Sequence, residues 1–444
     1  MKLKITIICI LVLSLSFSVH FLYNKFTSHF PEYNEYDFPD DFIWNSITKL
    51  TGQYLRPRNI EIEFDKRNRL EDIEFFKDSD DIDLGYNNLY LKKYNGNYDL
   101  LMGIYQTSPG SAFIEGDEDE IFLVSSTGII GKGKITNKEI IFKQLKSNIE
   151  NFIPKEQILD SKALSVKGFK VIDNIFYISF VEEVNENCWN TNLVTSNIES
   201  DELVFTKFFD HGECIHRLNN IDGEFEALQS GGEISQINKD EILFSIGDYR
   251  ARHLSQNKNS LNGKIIKINL KNSKIDIISM GHRNAQGLFY DQENNFILAT
   301  EHGPVGGDEI NLIKLDEANI PNYGWPIASY GEHSYGGKEN PFNDKKYIKY
   351  PFLKSHKDNG FIEPLKYFVP SIAINKIIGL GNRNYVITSL KDQSIYFFKL
   401  NFENELEDLK RVNIGERIRD IIYSNNKLIL FMESTASIGI IDLN

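Results

Sequence analysis

Three glycine-marked turns lie close together in this sequence: Gly-His-Arg-Asn-Ala-Gln-Gly-Leu at 281–288, Glu-His-Gly-Pro-Val-Gly-Gly-Asp-Glu-Ile-Asn at 301–311, and Asn-Tyr-Gly-Trp-Pro at 322–326. The apolar core Phe296-Ile-Leu-Ala-Thr-Glu separates the first two turns and is typical of a buried strand. Loops that follow buried strands often carry binding residues, and these loops hold arginine, histidine and carboxylate side chains. The segment therefore predicts strands joined by loops that can bind an anion or a metal.

The apolar core in this segment is one of six similar cores along the chain. Each ends near a Ser, a Thr or an acidic residue and follows a polar turn. The six cores are Ile121-Phe-Leu-Val-Ser-Ser, Ile175-Phe-Tyr-Ile-Ser, Ile242-Leu-Phe-Ser-Ile-Gly-Asp, Phe296-Ile-Leu-Ala-Thr-Glu, Tyr385-Val-Ile-Thr-Ser and Leu428-Ile-Leu-Phe-Met-Glu. Strand groups that repeat every 40 to 50 residues or more, roughly, are typical of propeller blades. The sequence predicts an all-β fold, a six-bladed β-propeller over residues 111–444; the alternative is a β-sandwich with coincidental spacing.

The first residues have the features of an export signal. Lys2 and Lys4 precede an apolar run that continues to Tyr23, about long enough to span a bilayer. We expect a signal anchor over residues 1–24, with a cleaved signal peptide as the alternative, and a short extension over residues 25–110. The body would then be exported, to the periplasmic face of the inner membrane if anchored, or to the periplasm or medium if cleaved. Contact with the membrane is expected through this N-terminal segment alone.

Charge and cysteine content narrow the partners and the compartment. The formal net charge is −14, which argues against nucleic acid, because proteins that bind its phosphates carry basic surfaces. In an exported body Cys188 and Cys214 can form a disulfide; the alternative is two unpaired buried thiols.

Basic residues recur in the predicted loops. Arg283 lies in the first turn, Lys391 follows the fifth core, and Arg417 and Arg419 alternate in Glu-Arg-Ile-Arg-Asp, which puts both on one face of a strand. A propeller gathers loops from all blades around a central channel. Together these residues favour a small polyanionic ligand, whereas each alone is consistent with surface charge paired to partners such as Asp420.

The second turn offers ligands for a hard cation. His302 precedes Gly303 and Pro304, whose backbone carbonyls suit calcium. Asp308 and Glu309 add carboxylates, although Asp308 can equally fix the turn through backbone hydrogen bonds. A plain tight turn at this position is the alternative.

The chain resembles the glucose/sorbosone dehydrogenase family of six-bladed propellers, which includes soluble glucose dehydrogenases and aldose sugar dehydrogenases. The three turns carry the resemblance, with Leu261-Asn-Gly-Lys, Pro370-Ser-Ile-Ala, Ser389-Leu-Lys and Arg417-Ile-Arg-Asp in support. It covers residues 223–444 well and 111–222 weakly, and residues 1–110 lie outside it. It implies oxidation of a small-molecule sugar with pyrroloquinoline quinone, a tricarboxylate, together with Ca²⁺; the electron acceptor stays open.

The resemblance also implies roles for single residues. Arg283 matches a position near the reactive carbonyl of the quinone, and the carbonyls of Gly303 and Pro304 match calcium ligands. The positions implied to hold the cofactor are Arg283, Asn284, His302, Lys391, Arg417 and Arg419.

One departure from the family concerns the catalytic base. The family has His-x-Gly-x-Arg before the strand that leads to Gly-Asp, and here that stretch is Gln229-Ser-Gly-Gly-Glu233. Glutamine has no titratable group and cannot accept the proton of the substrate hydroxyl. Glu233 can replace the base if it reaches the pocket, or His211 or His216 can supply an imidazole.

We therefore expect an exported oxidoreductase of the sugar dehydrogenase type that uses pyrroloquinoline quinone and Ca²⁺, with its base position substituted. The alternative is a non-catalytic propeller that binds carbohydrate or a partner protein. A third and weaker alternative is hydrolysis assisted by Glu233 and a metal.

Overall fold

The computed structural model describes residue 67 and residues 70–96, 110–161, 163–200, 202–315, 319–333 and 348–443. All of these belong to one compact unit, Asn59–Asn444. The predicted anchor over residues 1–24 lies outside the described residues. Among the residues that are described, no helix has the length and apolar character needed to cross a membrane.

The strands form six antiparallel four-stranded blades, as the spacing of the cores predicted. Blade 1 contains Ala112–Gly116, Ile121–Ser125, Ile130–Ile135 and Glu139–Gln144, and blade 2 contains Val166–Ile172, Ile175–Asn185, Cys188–Asn197 and Thr206–Phe209, with Ile215–His216 added at its edge. Blade 3 contains Gly231–Asn238, Glu241–Ile246, Lys264–Asn269 and Ile275–Met280, and blade 4 contains Ala285–Asp291, Phe296–Glu301, Asp308–Lys314 and Lys366–Phe368. Blade 5 contains Ile374–Gly381, Asn384–Ser389, Ser394–Leu400 and Leu406–Asn413, and blade 6 contains Ile418–Ser424, Lys427–Met432, Ser437–Asp442 and, as its fourth strand, Tyr90–Gly96.

The first strand of each blade lines a central channel. Each of these innermost strands contacts those of the two neighbouring blades, and that of blade 6 contacts that of blade 1, so the ring is closed. Closure is completed by Tyr90–Gly96, which pairs with the last strand of the chain through Lys92↔Ile440 and Tyr94↔Ile438.

Part of the predicted N-terminal extension belongs to this ring. Besides Tyr90–Gly96, the strand Ile73–Lys77 pairs with Tyr90–Gly96 on one side and with Glu139–Gln144 of blade 1 on the other. The short strand Ile82–Asp83 pairs with Tyr90–Gly96. The exact boundary predicted at residue 110 stays a prediction, but residues 73–96 contribute strands to the propeller.

Each of the six apolar cores is the second strand of a blade. Ile121–Ser125 and Phe296–Glu301 are buried at every position. Blades pack face to face, so both faces of a central strand are covered, and the strand becomes a continuous apolar run without alternation. This burial explains why the cores stand out in the sequence.

The antiparallel order brings two kinds of loop to one end of the propeller. Because successive strands of a blade reverse direction, the residues before each innermost strand lie at the same end as the loop between the second and third strands. The loops that carry Gln229, Arg283, His302 and Lys391 are of these two kinds, whereas the turn at residues 322–326 lies in the connection between the third and fourth strands of blade 4. We refer to this end as the channel mouth.

Helices are few in the described residues and lie in the loops. One α-helix spans Lys155–Asp160, and short 3₁₀ helices span Ile149–Asn151, Ala227–Gln229, Arg252–Gln256 and Lys357–Asn359.

Candidate functional site

The three turns that dominate the sequence pack together around the carboxylate of Glu301. Its Oε2 lies 2.9 Å from Nδ1 of His282, and its Oε1 accepts from the backbone N–H of Arg283 and, at 3.3 Å, from that of Asn284. The His282 ring stacks on Tyr323 of the third turn, with ring centroids 5.0 Å apart. The carboxylate therefore fixes the backbone that presents Arg283 at the channel mouth.

Arg283 is held on two sides. Its Nη1 donates to the carbonyl oxygen of His302 at 2.9 Å, and its guanidinium lies over the ring of Trp325, 5.5 Å from the centroid. Burial lowers the pKa of Arg283 to about 10, although the nearby Asp248 opposes the shift. The residue stays charged at neutral pH and is oriented before any ligand arrives.

Gln229 lies directly beside Arg283. It is 5% exposed and ends the 3₁₀ helix Ala227–Gln229. In the orientation that satisfies its neighbours, its amide nitrogen donates to Oδ1 of Asp248 at 3.2 Å, and its oxygen accepts from Nη2 of Arg283 at 2.8 Å and Nε of Arg250 at 3.1 Å. The amide therefore links one carboxylate to two guanidinium groups.

Asp248 is the acidic member of this cluster. It is fully buried, and it accepts from Nε1 of Trp325 at 2.7 Å and from the backbone N–H of Arg250 at 2.9 Å. Burial raises the pKa of Asp248 to about 6, and Arg283 opposes the rise. Asp248 thus positions Trp325 and the loop that begins at residue 249.

The side chain of Asn284 forms hydrogen bonds with the backbone around it. Its Oδ1 accepts from the N–H of Gly231 at 3.0 Å, and its Nδ2 donates to the carbonyl of Leu228 at 3.2 Å. It ties blade 4 to the loop that carries Gln229. A contact between Asn284 and a cofactor stays a prediction.

The second turn combines a buried histidine with a rigid loop. Nε2 of His302 is buried and has no hydrogen-bond partner in the described part of the chain. Burial lowers the pKa of His302 to about 4, against the influence of Asp308, so the ring is neutral at pH 7. A neutral ring with an unused nitrogen is suited to a hydrogen bond with a ligand.

Asp308 fixes the turn, which is one of the two roles that the sequence allowed. Its Oδ1 accepts from the N–H of Gly303 at 3.0 Å, and its Oδ2 accepts from Oγ of Ser371 at 2.8 Å and the N–H of Ile372 at 2.9 Å. The described residues contain no group of three or more His, Cys, Asp or Glu side chains suited to a metal. Calcium binding by the carbonyls of Gly303 and Pro304 stays a prediction.

Glu309 does not serve as an open carboxylate on this turn. It is 7% exposed, accepts from Nδ2 of Asn311 at 3.2 Å and lies 3.5 Å from Nε2 of His356. Burial and the nearby Glu301 raise the pKa of Glu309 well above its ordinary value. It lines a small cleft together with Arg283 and Trp325.

Arg417 and Arg419 are paired with a carboxylate that the sequence did not identify. Glu433, fully buried in the next loop of blade 6, accepts from Nε of Arg417 at 3.2 Å and from Nη2 of Arg419 at 3.0 Å. Burial would raise the pKa of Glu433, but the two arginines outweigh it and lower that pKa. Asp420, the suggested partner, instead pairs with Lys376 at 3.3 Å. Nε of Arg419 remains buried without a hydrogen-bond partner among the described residues.

Lys391 lies exposed at the channel mouth. It follows the second strand of blade 5, and its backbone N–H donates to the carbonyl of Ile372 at 3.0 Å. The loop is therefore anchored, and the side chain's role stays a prediction.

Glu233, the proposed substitute base, forms an ion pair inside the channel. Its carboxylate lies 2.5 Å from Nζ of Lys376, which also contacts Asp420. Burial raises the pKa of Glu233 to about 7, against the attraction of Lys376. A second pair, Glu115 with Lys170 at 2.7 Å, links the innermost strands of blades 1 and 2. Glu233 thus belongs to a set of ion pairs that crosses the channel.

The two histidines considered as substitutes lie at the outer edge of blade 2. Nδ1 of His216 accepts from the backbone N–H groups of Leu218 and Asn219, at 3.1 and 3.0 Å. His211 follows the outermost strand and packs edge-on against Phe209, and burial lowers the pKa of His211 to about 4. Neither position is at an innermost strand.

Three basic residues at the mouth were missed by sequence reasoning. Arg250 and Arg252 follow Gly-Asp at alternate positions, a spacing that could have been noticed. Arg252 pairs with Glu224 at 3.1 Å, and its guanidinium lies 5.7 Å from the Trp325 ring centroid. Lys167 lies on the innermost strand of blade 2, three residues before Lys170, and nothing in the sequence distinguishes it from its neighbouring lysines.

Cys188 and Cys214 form a disulfide. Their Cα atoms lie 5.3 Å apart, and the bridge joins the third strand of blade 2 to the loop before Ile215–His216. The first of the two alternatives considered for these cysteines is therefore the one found.

Residues 169–441, more than half of the chain, match the family model described as Glucose / Sorbosone dehydrogenase. The chain belongs to this glucose/sorbosone dehydrogenase family. The match extends through blades 2 to 6 and includes the channel mouth described above. The resemblance inferred from the three turns is thus confirmed.

Curated relatives are similar over part of their length. An uncharacterised protein of Synechocystis is 30% identical over 221 residues, which are 43% of this chain and 50% of that protein. Aldose sugar dehydrogenase YliI of Escherichia coli is 27% identical over 212 residues, which are 43% of this chain and 53% of that protein. The chain thus spans about half the length of the curated relatives it matches.

Solved structures show the same fold. The apo-form of the soluble aldose sugar dehydrogenase from Escherichia coli is similar with a TM-score of 0.57 at 18% identity, over 75% of this chain and 96% of that one. A glucose dehydrogenase crystal structure has a TM-score of 0.57 at 19% identity, over 75% and 95% of the two chains. At these identities the likeness concerns the propeller architecture.

Proposed function

We propose that this protein is an exported sugar dehydrogenase-like oxidoreductase that binds pyrroloquinoline quinone and Ca²⁺ at the channel mouth and takes an aldose as substrate. Family membership supports the reaction class. Two relatives are named aldose sugar dehydrogenase and quinoprotein glucose dehydrogenase B; the latter, from Acinetobacter calcoaceticus, is 38% identical over 84 residues, 16% of each chain. These names supply the substrate class and the quinone for the proposal.

The observation that carries the proposal is a set of cationic and donor groups from blades 4 and 6 at one mouth. Arg283 is preoriented, Nε of Arg419 is a buried donor without an acceptor in the described residues, and Nε2 of His302 is buried without a partner there. A buried donor without a partner costs free energy, on the order of 1–3 kcal/mol. A ligand that carries several carboxylates would satisfy such donors, so the residues present fit a tricarboxylate cofactor.

The quinone, when bound, would supply a two-electron acceptor for the hydrogen at the sugar's anomeric carbon. The protein's part is to bind and to orient. Arg283 would hold an electronegative oxygen through the part of its guanidinium that faces the mouth. Trp325, fixed by Asp248, shields that guanidinium from water and strengthens its electrostatic effect.

Gln229 limits what this site can do. Its amide cannot take the hydroxyl proton, and loss of a general base typically costs about 10²–10⁴ in rate. Within the family scaffold this predicts binding of cofactor and sugar with slow turnover.

A second candidate function follows from the same residue. The three hydrogen bonds of Gln229 to Asp248, Arg283 and Arg250 favour a static role, in which the propeller binds a carbohydrate or a partner protein without oxidising it. Binding of sugar that is independent of the cofactor would distinguish this function from the first.

Titration of the apo-protein with pyrroloquinoline quinone, with and without Ca²⁺, tests the proposal. A saturable change in the quinone absorbance, followed by slow reduction of an artificial electron acceptor in the presence of aldoses, is expected. Absence of any quinone binding, with sugar binding intact, would favour the second function.

Export of the body is part of the proposal. The Cys188–Cys214 bridge supports it, because disulfides persist in oxidising compartments. Fractionation of cells that express the full chain, with thiol labelling of each fraction, would test it.

A further inference from the structure

Lys167 occupies an innermost position at the channel mouth. It is the second residue of Val166–Ile172, the strand of blade 2 that lines the channel. Its Cβ packs against the backbone of Gly232. A Cβ added to Gly232 would lie only 2.3 Å from the Cβ of Lys167. Gly232 follows Gln229 by three residues, so Lys167 lies next to the loop that carries the substituted base position.

The ammonium group of Lys167 has no acceptor among the residues that the structure describes. In the described ranges of the chain, neither an ion pair nor a hydrogen bond joins its Nζ to another residue. The buried Lys264 differs, since its Nζ donates to three carbonyls, those of Leu254, Ser255 and Asn262, at 2.9, 3.0 and 2.8 Å. Lys167 is half-buried, and its ammonium group is costly to keep charged where water is withdrawn and no acceptor replaces it.

The charged groups around Lys167 do not neutralise its positive charge. Burial and, to a smaller extent, the like charge of Arg419 lower the pKa of Lys167 to about 7, and Glu226 opposes both effects. The carboxylates on the adjoining innermost strands are already engaged, Glu115 with Lys170 and Glu233 with Lys376. Arg419 carries the same charge as Lys167, and the acids Glu115 and Glu233 already have partners. The amine of Lys167 can therefore bind an anion from outside the protein.

Two further unpartnered polar atoms lie in the same region. Nε of Arg419 and Nε2 of His302 are buried and unpartnered among the described residues, and Arg419 acts electrostatically on both Lys167 and His302. Arg419 is 8% exposed, so its unused nitrogen is withdrawn from water. Polar groups of blades 2, 4 and 6 are therefore close enough for the charge of Arg419 to act on both Lys167 and His302.

We propose that Lys167 is an additional anion-binding residue, which together with Arg419 receives a carboxylate of the ligand at the channel mouth, next to His302. This inference rests on the proposed function for the identity of the ligand, pyrroloquinoline quinone. That the ligand carries a carboxylate follows from the basic residues themselves. A carboxylate next to the amine would favour the charged form, so binding takes up a proton.

The test is calorimetric titration with pyrroloquinoline quinone in two buffers of different ionisation enthalpy, which reports protons taken up on binding. For the wild type we expect an uptake near one proton at pH 8 and little at pH 6. Lys167→Met should weaken binding about 10-fold or more and remove this uptake. Lys167→Arg should retain most of the affinity and remove the uptake, because a guanidinium is always charged.

Lys146→Met provides a matched control, since Lys146 is an exposed lysine of the same end of the propeller, paired with Glu202 at 3.0 Å. Thermal melts of each variant verify folding. Unchanged affinity and proton uptake in folded Lys167→Met would overturn the inference.

If the wild type does not bind the quinone, the proposed function fails, and citrate, a simpler tricarboxylate, then serves as the probe. Citrate binding that weakens in Lys167→Met supports the inference by itself. Absence of binding to either probe overturns it.

Discussion

The side-chain oxygen of Gln229 lies 2.8 Å from Nη2 of Arg283, and its nitrogen lies 3.2 Å from Oδ1 of Asp248. A residue without acid–base chemistry therefore occupies the point where an arginine and a buried carboxylate of the mouth meet. The glutamine preserves the geometry of the cluster and removes a proton acceptor from it. This relationship separates binding from catalysis, and it can be tested by one substitution.

Gln229→His should restore a base at this position. An imidazole there can donate to Asp248 and leave its other nitrogen for the substrate hydroxyl, as the geometry of the amide nitrogen indicates. We expect reduction of an artificial electron acceptor, with aldose and quinone present, to rise by about 10²–10⁴. The initial rate at saturating quinone is the measurement.

Gln229→Asn is the control, because it keeps an amide and removes one methylene. It should show no gain. If Gln229→His binds the quinone as the wild type does and turns over no faster, the missing base is not what limits this protein.

The propeller could be predicted because each of its apolar strands is visible within a short stretch of sequence. The contacts of the site join residues that are far apart in the sequence and could not be predicted in this way. The second strand of each blade is covered on both faces, so Phe296–Glu301 stands out as an apolar run without knowledge of its neighbours. By contrast, Tyr90–Gly96 completes blade 6 by pairing with Ser437–Asp442 at the far end of the chain. A half-exposed strand with a distant partner carries too weak a pattern to be assigned to a blade.

The candidate site shows the same difference between local motifs and distant contacts. Motifs located Arg283 and Arg419, because the residue types and spacings are specific. Their partners, Asp248 and Glu433, are single acids in ordinary loops, and their importance appears only once packing buries them beside the arginines. Sequence reasoning therefore found these two arginines and missed the carboxylates that hold them.

Glu433→Gln should destabilise the protein strongly. The fully buried carboxylate is bonded to Arg417 and Arg419, and its neutralisation removes the counter-charge that the buried Arg419 guanidinium and the half-buried Arg417 share. Loss of one partner from a buried ion pair typically costs about 3–5 kcal/mol. Urea denaturation at pH 7 measures the change in the free energy of unfolding.

Glu120→Gln is the matched control for this substitution. Glu120 forms an ion pair with Lys132 in which both side chains are exposed, and such pairs contribute about 1 kcal/mol or less. Equal losses in the two variants would show that the Glu433 cluster adds no stability beyond that of a surface pair.

Removal of the disulfide by Cys188→Ser and Cys214→Ser together should lower the free energy of unfolding by about 3 kcal/mol. The bridge closes a loop with a sequence separation of 26, and the closure restricts the unfolded chain. Urea denaturation of the double variant gives the value, and the wild type in reductant should approach it. A double variant as stable as the oxidised wild type would contradict this account.

Asp222→Asn should lose stability in a pH-dependent way. Asp222 lies 2.7 Å from Nδ1 of His253 and also accepts from Lys349 and Tyr350. Burial would raise the pKa of Asp222, but these bonds outweigh it and lower the pKa to about 2. A carboxylate with a lowered folded-state pKa stabilises the protein above its unfolded pKa, about 3.9, and that contribution disappears as the pH falls toward 2.

The variant should therefore be about 2 kcal/mol less stable than the wild type at pH 7, and this difference should shrink between about pH 4 and pH 2. Urea denaturation of both proteins over this range gives the difference at each pH. Asp240→Asn, which removes a carboxylate paired with the exposed Lys271, should show little difference at either end. A difference for Asp222→Asn that is as large at pH 3 as at pH 7 would mean that the contribution comes from shape and neutral hydrogen bonding, because only the ionised carboxylate can lose its stabilising effect by taking up a proton.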